Sequence, residues 1–430
     1  MTSMTTTPST SASRSSHVGG GESFVHLHVA SGYSMRYGTA KPHQLVERAS
    51  AWGQPALALT DRDGLYGAVK FVRACMEHGI APILGVDLAF EPPTRERARP
   101  GRPVRTPVRG GALVDPRLPR VTVLARGSGG PAGLAPGEGW AALCRLVTAT
   151  HLRGERGNPV ATADLVASHA GPRDGLQPDL EPDLETDLGR DLEPGRPRVT
   201  SSAGPSRLVV LIGPDSDVGR AVLARKHAQA RTALERWVAR MPRGSVVVEV
   251  VCHGGPEHLP GSLGQAGRML ALAREVGVAS IITAAVRHTD PQDAAVVDVL
   301  DAARRLVALD ERHLDRVTAA GHLAPTPLMH ALALDVVQVS GPGLAGGGTL
   351  AKEQARELVA RTTTLATACI QDPRADLGIG SVHLPEGPGC MPSRAPSCGR
   401  RARGPAPWRG FHLRRARAPR PARRRERARA

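Results

Sequence analysis

An α/β fold is predicted by three features of this sequence. Short apolar runs rich in Val, Ile and Leu alternate with segments whose apolar residues recur every three and four positions, from residue 24 to about residue 285. The helical segments are long enough to carry the chain back over a sheet, which points to parallel strands joined by crossovers. At 430 residues the chain is long enough for two or three domains, so core size sets no limit. The number of alternations fits either a barrel or a doubly wound sheet.

Each element has its own signal. FVHLHV (24–29) is a short β-rich run, and after Pro42 the spacing of Leu45, Val46, Ala49 and Trp52 predicts a helix. PALALTD (55–61) is a buried strand. Ala68, Val69, Phe71, Val72 and Cys75 then mark a helix that stops at Gly79, a residue suited to a left-handed cap. APILGVDLAF (81–90) is the next strand. Beyond a Pro/Arg-rich loop (91–117), RVTVLAR (120–126) reads as strand and GWAALCRLVTATH (139–151) as helix. RLVVLIG (207–213), one long helix to about Arg240, SVVVEVV (245–251), a helix ending near Gly277, and ASIITAA (279–285) continue the pattern. From 290 to 389 the sequence is more helical, with AAVVDVLDAARRLVALD (294–310) and AKEQARELVARTTTLATAC (351–369), expected as a separate packing unit or a cap on the preceding α/β region of residues 22–289.

Three segments lack such periodicity. Residues 1–21 read as a disordered leader. A low-complexity insert of about 172–204 places Asp179, Asp183, Asp187 and Asp191 four apart, each followed by Leu. Pro182 and Pro194 and the absence of turn glycines favour a solvated acidic linker over a calcium-binding repeat. Residues 390–430 collapse to Arg, Ala, Pro and Gly and read as a disordered tail.

The net charge of +16 suggests a nucleic-acid binder until it is located. Fourteen arginines and a single acid, Glu426, lie from Met391 onward, which leaves 42 basic and 39 acidic residues for the rest. The body is therefore nearly neutral. No apolar run approaches a membrane span and no hydrophobic stretch of a secretory signal follows the start, so a cytoplasmic protein with no membrane partner is expected. The six dispersed cysteines form no CxxC pair, which argues against a zinc knuckle or a disulfide scaffold.

On an extended strand, side chains two apart share a face, so His26, His28 and Ala30 are expected together. Histidines so placed at the C-terminal end of a strand can begin a metal site. The alternative is a pair of core or turn histidines with satisfied hydrogen bonds.

At residues 24–90, FVHLHVASGYSMRYGTAKPHQLVERASAWGQPALALTDRDGLYGAVKFVRACMEHGIAPILGVDLAF, the sequence resembles the opening of the polymerase and histidinol phosphatase (PHP) domain of bacterial C-family DNA polymerases, the alpha subunits of DNA polymerase III. Further matches follow in order: WAALCRLVTATHL (140–152), VVEVVCHGGPE (247–257), TAAVRH (283–288) with VVDVLDAARRL after it, and DLGIGSVHLPE (376–386). The error-prone, translesion branch is the most similar. The resemblance implies a distorted seven-stranded (β/α)7 barrel followed by a smaller helical region. It also implies DNA replication or translesion repair as the process, with DNA and other replication proteins as partners of the intact family.

The departures bear on chemistry. The family's first motif, HxHS or HxHT, here runs from His28 to Ala30 and Ser31, so one implied metal ligand is a methyl group. A downstream acid or histidine of that loop corresponds to Tyr37. The TDH motif reads Thr60, Asp61, Arg62, which puts a permanent cation where an imidazole would ligate. The Glu after the third strand corresponds to Asp87, and NDxH reads Ala284, Ala285, Val286, Arg287. Of these positions only His28 and Asp87 could bind metal, whereas a divalent ion needs three or four ligands. Two guanidiniums in place of imidazoles add repulsion of several kcal/mol at an effective dielectric of about 20. No catalytic residue, metal or other cofactor is therefore expected in this barrel, and Arg62 and Arg287 are expected to pair with Asp61, Asp63 or Asp87.

The family's polymerase reaction uses a palm whose carboxylates bind Mg²⁺, and no such sequence follows here. The chain is thus expected to be a PHP fragment, inactive alone as a nucleotidyltransferase. Two other readings stand beside it: a metal-dependent phosphoesterase or 3′–5′ exonuclease, against which the lost ligands argue, and a protein that binds nucleic acid non-specifically through its basic tail. A GC-rich gene read out of frame also yields an Arg, Ala, Pro and Gly tail, and that reading is preferred for residues 390–430.

Overall fold

The computed structural model describes residues 23–91, 118–154, 157–171, 206–310, 318–342 and 346–381. The predicted leader, acidic insert and Arg-rich tail lie outside the described residues, as does most of the Pro/Arg-rich loop.

Among the described residues, six strands form one sheet in sequence order: β1 (Ala56–Arg62), β2 (Ala81–Ala89), β3 (Arg120–Ala125), β4 (Leu208–Ile212), β5 (Val246–Val251) and β6 (Ser280–Thr283). The segment FVHLHV joins the two edges. Ala58 N donates to His26 O and Thr60 N to Val29 O on the β1 side, while Val286 N donates to His28 O and Ala30 N to Val286 O beyond β6. These bonds supply the seventh staves of a closed, irregular α/β barrel. β3 departs from the parallel pattern and runs antiparallel to both β2 and β4. Strand direction depends on the path of the connection, and no local residue signal encodes it.

The helices follow the predicted periodicity with informative exceptions. α1 (Pro42–Ala51) and α2 (Ala68–His78) pack on the outside of β1 and β2, with Gly79 at φ 66° ending α2. α3 (Glu138–Arg153) follows β3, and a short α4 (Ala163–Ala170), capped by Thr162, was not anticipated. The long helix expected to Arg240 is two, α5 (Asp217–Leu223) and α6 (His227–Arg240), broken where Arg225 adopts φ 57°. α7 (Leu263–Val276) starts at the Ser262 cap and ends at Gly277. α8 (Ala294–Arg305) stops short of Asp310 because Leu306 turns left-handed, with φ 55°. α9 (Thr326–Val339) packs on α7 and on α10 (Thr349–Cys369).

Two apolar layers follow from strand alternation. Val25, Leu27, Ala56, Ala58, Ile83, Leu124, Val209, Leu211, Val247 and Ile281 fill the barrel, joined by Leu365, Ala366 and Cys369 of α10. Leu57, Leu59, Leu84, Val86, Val210 and Val248 face the surrounding helices. Most of the inner parallel-strand residues lie early in their strands, so α10 closes the N-terminal end of the barrel. The opposite, C-terminal mouth is where inward positions become polar: Thr60 and Arg62, Asp87, Thr122, Glu249 and Thr283. Barrels of this kind place their chemistry at that end.

Candidate functional site at the barrel mouth

Register sets the first row of the site. Arg62 of β1 lies opposite Asp87 of β2, which lies opposite Thr122 of β3. All three share the inward face with Ala58, Ile83 and Leu124, because side chains two apart point the same way. Asp87 is buried, and its Oδ2 accepts from Arg62 Nε at 3.2 Å and Arg120 Nε at 2.9 Å. Arg120 also donates to Asp63 Oδ1 at 2.9 Å and to the Asp87 carbonyl at 2.7 Å. Burial alone would raise the Asp87 pKa, but Arg120 and Arg62 hold it below the usual carboxylate range. The same carboxylates raise the pKa of Arg120 against its own burial.

His28 sits across the mouth. Its Nδ1 is 2.8 Å from Glu249 Oε1, and Thr283 Oγ1 donates to the same oxygen at 2.5 Å. Burial disfavours the imidazolium, yet Glu249, with help from Asp87, raises the His28 pKa. His26 does not share this face. It points outward, with Nε2 2.9 Å from the Ala324 carbonyl and its ring in a T-shaped contact with Phe24. The expected grouping of His26, His28 and Ala30 is thus corrected. Leu27 and His28 both turn inward, so alternation breaks between them, which the isolated bridges of this segment permit.

The remaining positions lie along the loop after this strand and beyond β6. Asp61, outward-facing and buried, accepts from Ser31 N at 2.7 Å, Ser34 Oγ at 2.7 Å and Ser31 Oγ at 2.9 Å. It thereby fixes the loop that carries Tyr37. Gly38 allows the loop to close, since a Cβ there would collide with the Ser31 backbone. Ala30 is buried, and Ala285 takes a left-handed φ of 44°. Arg287 pairs with Asp301 of α8 rather than with Asp61, Asp63 or Asp87, while Arg62 makes one of the expected pairs. The guanidinium carbons of Arg62, Arg287 and Arg304 stand 3.3, 3.9 and 5.6 Å from the centroid of the Tyr37 ring.

This donor set does not fit a metal ion. Asp87 Oδ2 is already shared by two arginines. Guanidiniums stand at two of the positions where the family resemblance implies ligands. Among the described residues, no group of three or more His, Cys, Asp or Glu side chains is gathered in a way that could hold one.

Glu249, Arg120 and Asp301 are the partners that sequence reasoning missed. Glu249 carried a usable signal: it is the one charged residue in VVVEVV, at the same parity as the inward Val247. Arg120 reads as an ordinary strand start, and nothing local distinguishes Asp301 from Asp298, the other acid of α8.

The PHP domain model matches residues 26–253, just over half the chain. Among curated proteins, the error-prone DNA polymerase of Symbiobacterium thermophilum is 30% identical over 296 residues, 68% of this chain and 22% of that protein. The error-prone DNA polymerase of Nocardia farcinica is 30% identical over 329 residues, covering 71% and 25%. The DNA polymerase III subunit alpha of Buchnera aphidicola is 45% identical over 67 residues, 16% of this chain and 6% of its own. The chain thus spans about a quarter or less of the length of these relatives. The α/β barrel with its polar C-terminal mouth, the motif order along the sequence and the match over residues 26–253 agree, and the chain belongs to the PHP family.

Proposed function

We propose that this chain is the PHP module of an error-prone polymerase of the DNA polymerase III alpha class, and that its barrel is a scaffold, not a phosphoesterase or exonuclease. The observation that carries this reading is the row Arg62–Asp87–Arg120: the inward carboxylate that could ligate a metal is neutralised by two guanidiniums of the same chain. Metal-dependent hydrolysis needs a cation with an open position for water or substrate, and an arginine side chain offers none. In the intact protein, DNA and other replication or translesion proteins would be the partners. Mg²⁺ would belong to the polymerase core instead of this barrel, and the setting would be cytoplasmic. Among the described residues, no helix is long and apolar enough to cross a membrane.

The test is hydrolysis of bis(p-nitrophenyl) phosphate and of 5′-labelled single-stranded DNA with added Mn²⁺ or Zn²⁺, together with metal analysis of protein purified without chelator. Background rates and substoichiometric metal are expected. Hydrolysis abolished by EDTA, or stoichiometric bound metal, would overturn the scaffold reading. Polymerase sequence in another reading frame beyond codon 390 would support the assignment to a polymerase.

A further inference from the structure

We propose that Tyr37 and the guanidiniums around it form a metal-independent clasp, which fastens the two sides of the barrel mouth through space the family resemblance gives to metal ions. The inference rests on the scaffold reading and deepens it: it names what holds the mouth together.

The connections can be followed atom by atom. On one side, Asp63 and Asp87 bind Arg120, and Asp87 binds Arg62 at the end of β1. Arg62 then stacks on Tyr37, its Cζ 3.3 Å from the ring centroid. On the other side, Arg287 stands 3.9 Å from the same centroid, and its Nε and one terminal nitrogen donate to the Tyr37 carbonyl at 3.3 and 3.2 Å. Arg287 and Arg304 both bind Asp301 of α8, and Arg304 reaches the Arg36 carbonyl. The ring is thus the element common to two ion-pair groups, one rooted in β1–β3 and the other in α8.

Charge explains why an aromatic ring suits this position. Arg62 and Arg287 approach one ring within 4 Å, where two cations repel. The π face carries partial negative charge and attracts both, and each cation is also paired with a carboxylate. A metal-binding barrel balances its carboxylates with divalent ions. Here Arg62, Arg120, Arg287 and Arg304 balance Asp63, Asp87 and Asp301, and the additional positive charge meets the ring and two backbone carbonyls of the loop. An aliphatic side chain of similar bulk would fill the space without supplying that attraction.

Thermal unfolding of the full chain tests this. Wild type, Tyr37→Phe, Tyr37→Leu and Tyr37→Ala would be compared in EDTA and in 1 mM Mn²⁺ or Zn²⁺. Tyr37→Phe keeps the ring face and is expected within about 1 °C of wild type. Tyr37→Leu and Tyr37→Ala are expected to lower the midpoint by roughly 5 °C, the scale of a partly desolvated cation–π contact in a domain of this size. Neither chelator nor metal should move the wild-type midpoint. A Tyr37→Leu protein as stable as wild type, or a wild-type midpoint that rises with metal and falls with EDTA, would overturn the clasp. The two readings fail separately: EDTA-sensitive hydrolysis with an unstable Tyr37→Leu protein would sink the scaffold and keep the ring's role. An inert barrel indifferent to Tyr37→Leu would do the reverse.

Discussion

Arg287 grips Asp301 through both terminal nitrogens, at 2.6 and 3.1 Å, and the carboxylate is fully buried. Removing one member of such a pair strands a charge out of water, a loss of about 3–5 kcal/mol, whereas replacing both by apolar groups recovers much of it. Asp301→Ala is therefore expected to lose at least about 3 kcal/mol in urea unfolding at pH 7. The double substitution Arg287→Met with Asp301→Leu should cost clearly less than the sum of the single changes. Simple additivity would show that the pair is not coupled.

His26 and His28, two residues apart, should give opposite pH dependences. Burial lowers the His26 pKa to about 4. Between pH 6.5 and 4 the unfolded chain therefore takes up a proton that the folded chain refuses, and stability falls as the pH falls, by about 3 kcal/mol across that window. For His28, burial opposes the charged ring but Glu249 outweighs it and raises the pKa. Its contribution is complete below the unfolded value near 6.5 and is lost as pH rises through the folded pKa. Urea midpoints measured from pH 4 to 8 should lose acid sensitivity in His26→Gln. In His28→Gln they should lose the opposing slope above pH 6.5; slopes of the same sign would contradict the assignment.

Ala285 holds φ 44° without being glycine or asparagine. A left-handed residue with a Cβ is strained by about 1–2 kcal/mol, part of which glycine returns as extra unfolded-state entropy. Ala285→Gly is expected to raise stability by about 0.5–1 kcal/mol in denaturant titration. Ala285→Val should lower it by more than that. An unchanged midpoint in both would remove the strain.

These residues show where sequence was informative. Apolar periodicity located β1 and β2 and their helices to within a residue or two, because burial on both faces of a parallel strand leaves a continuous apolar run such as ALAL. Motif comparison placed Arg62 and Asp87 in one site, and their opposite charges anticipated the pairing. The antiparallel direction of β3, the inversion between His26 and His28, and the turn at Arg225 depend on connection path and backbone dihedral, which residue type constrains weakly. The partners Arg120, Glu249 and Asp301 come from distant elements. Their roles are set by register and by a fourteen-residue span to α8, not by any local pattern.

Asp61 offers the sharpest separation between an implied ligand motif and what its residue does here. Its carboxylate faces away from the barrel interior and collects the Ser31 amide and the Ser31 and Ser34 hydroxyls, while Ser34 Oγ in turn accepts from Arg62 N at 2.9 Å. Both oxygens act as acceptors. Asp61→Ala would remove both, leaving the buried Ser31 amide and the Ser31 and Ser34 hydroxyls without this acceptor at about 1–3 kcal/mol each. The loop it ties includes Arg36, which is exposed and held at φ 57°. Loosening that tie should expose the Arg36–Tyr37 bond to trypsin well before the rest of the chain unfolds, since local opening governs such cleavage. Asp61→Ala is therefore expected to accelerate the cut after Arg36 by about tenfold or more, corresponding to about 1.4 kcal/mol of local stability. A cleavage rate equal to wild type would show that Asp61 is not what fixes the loop.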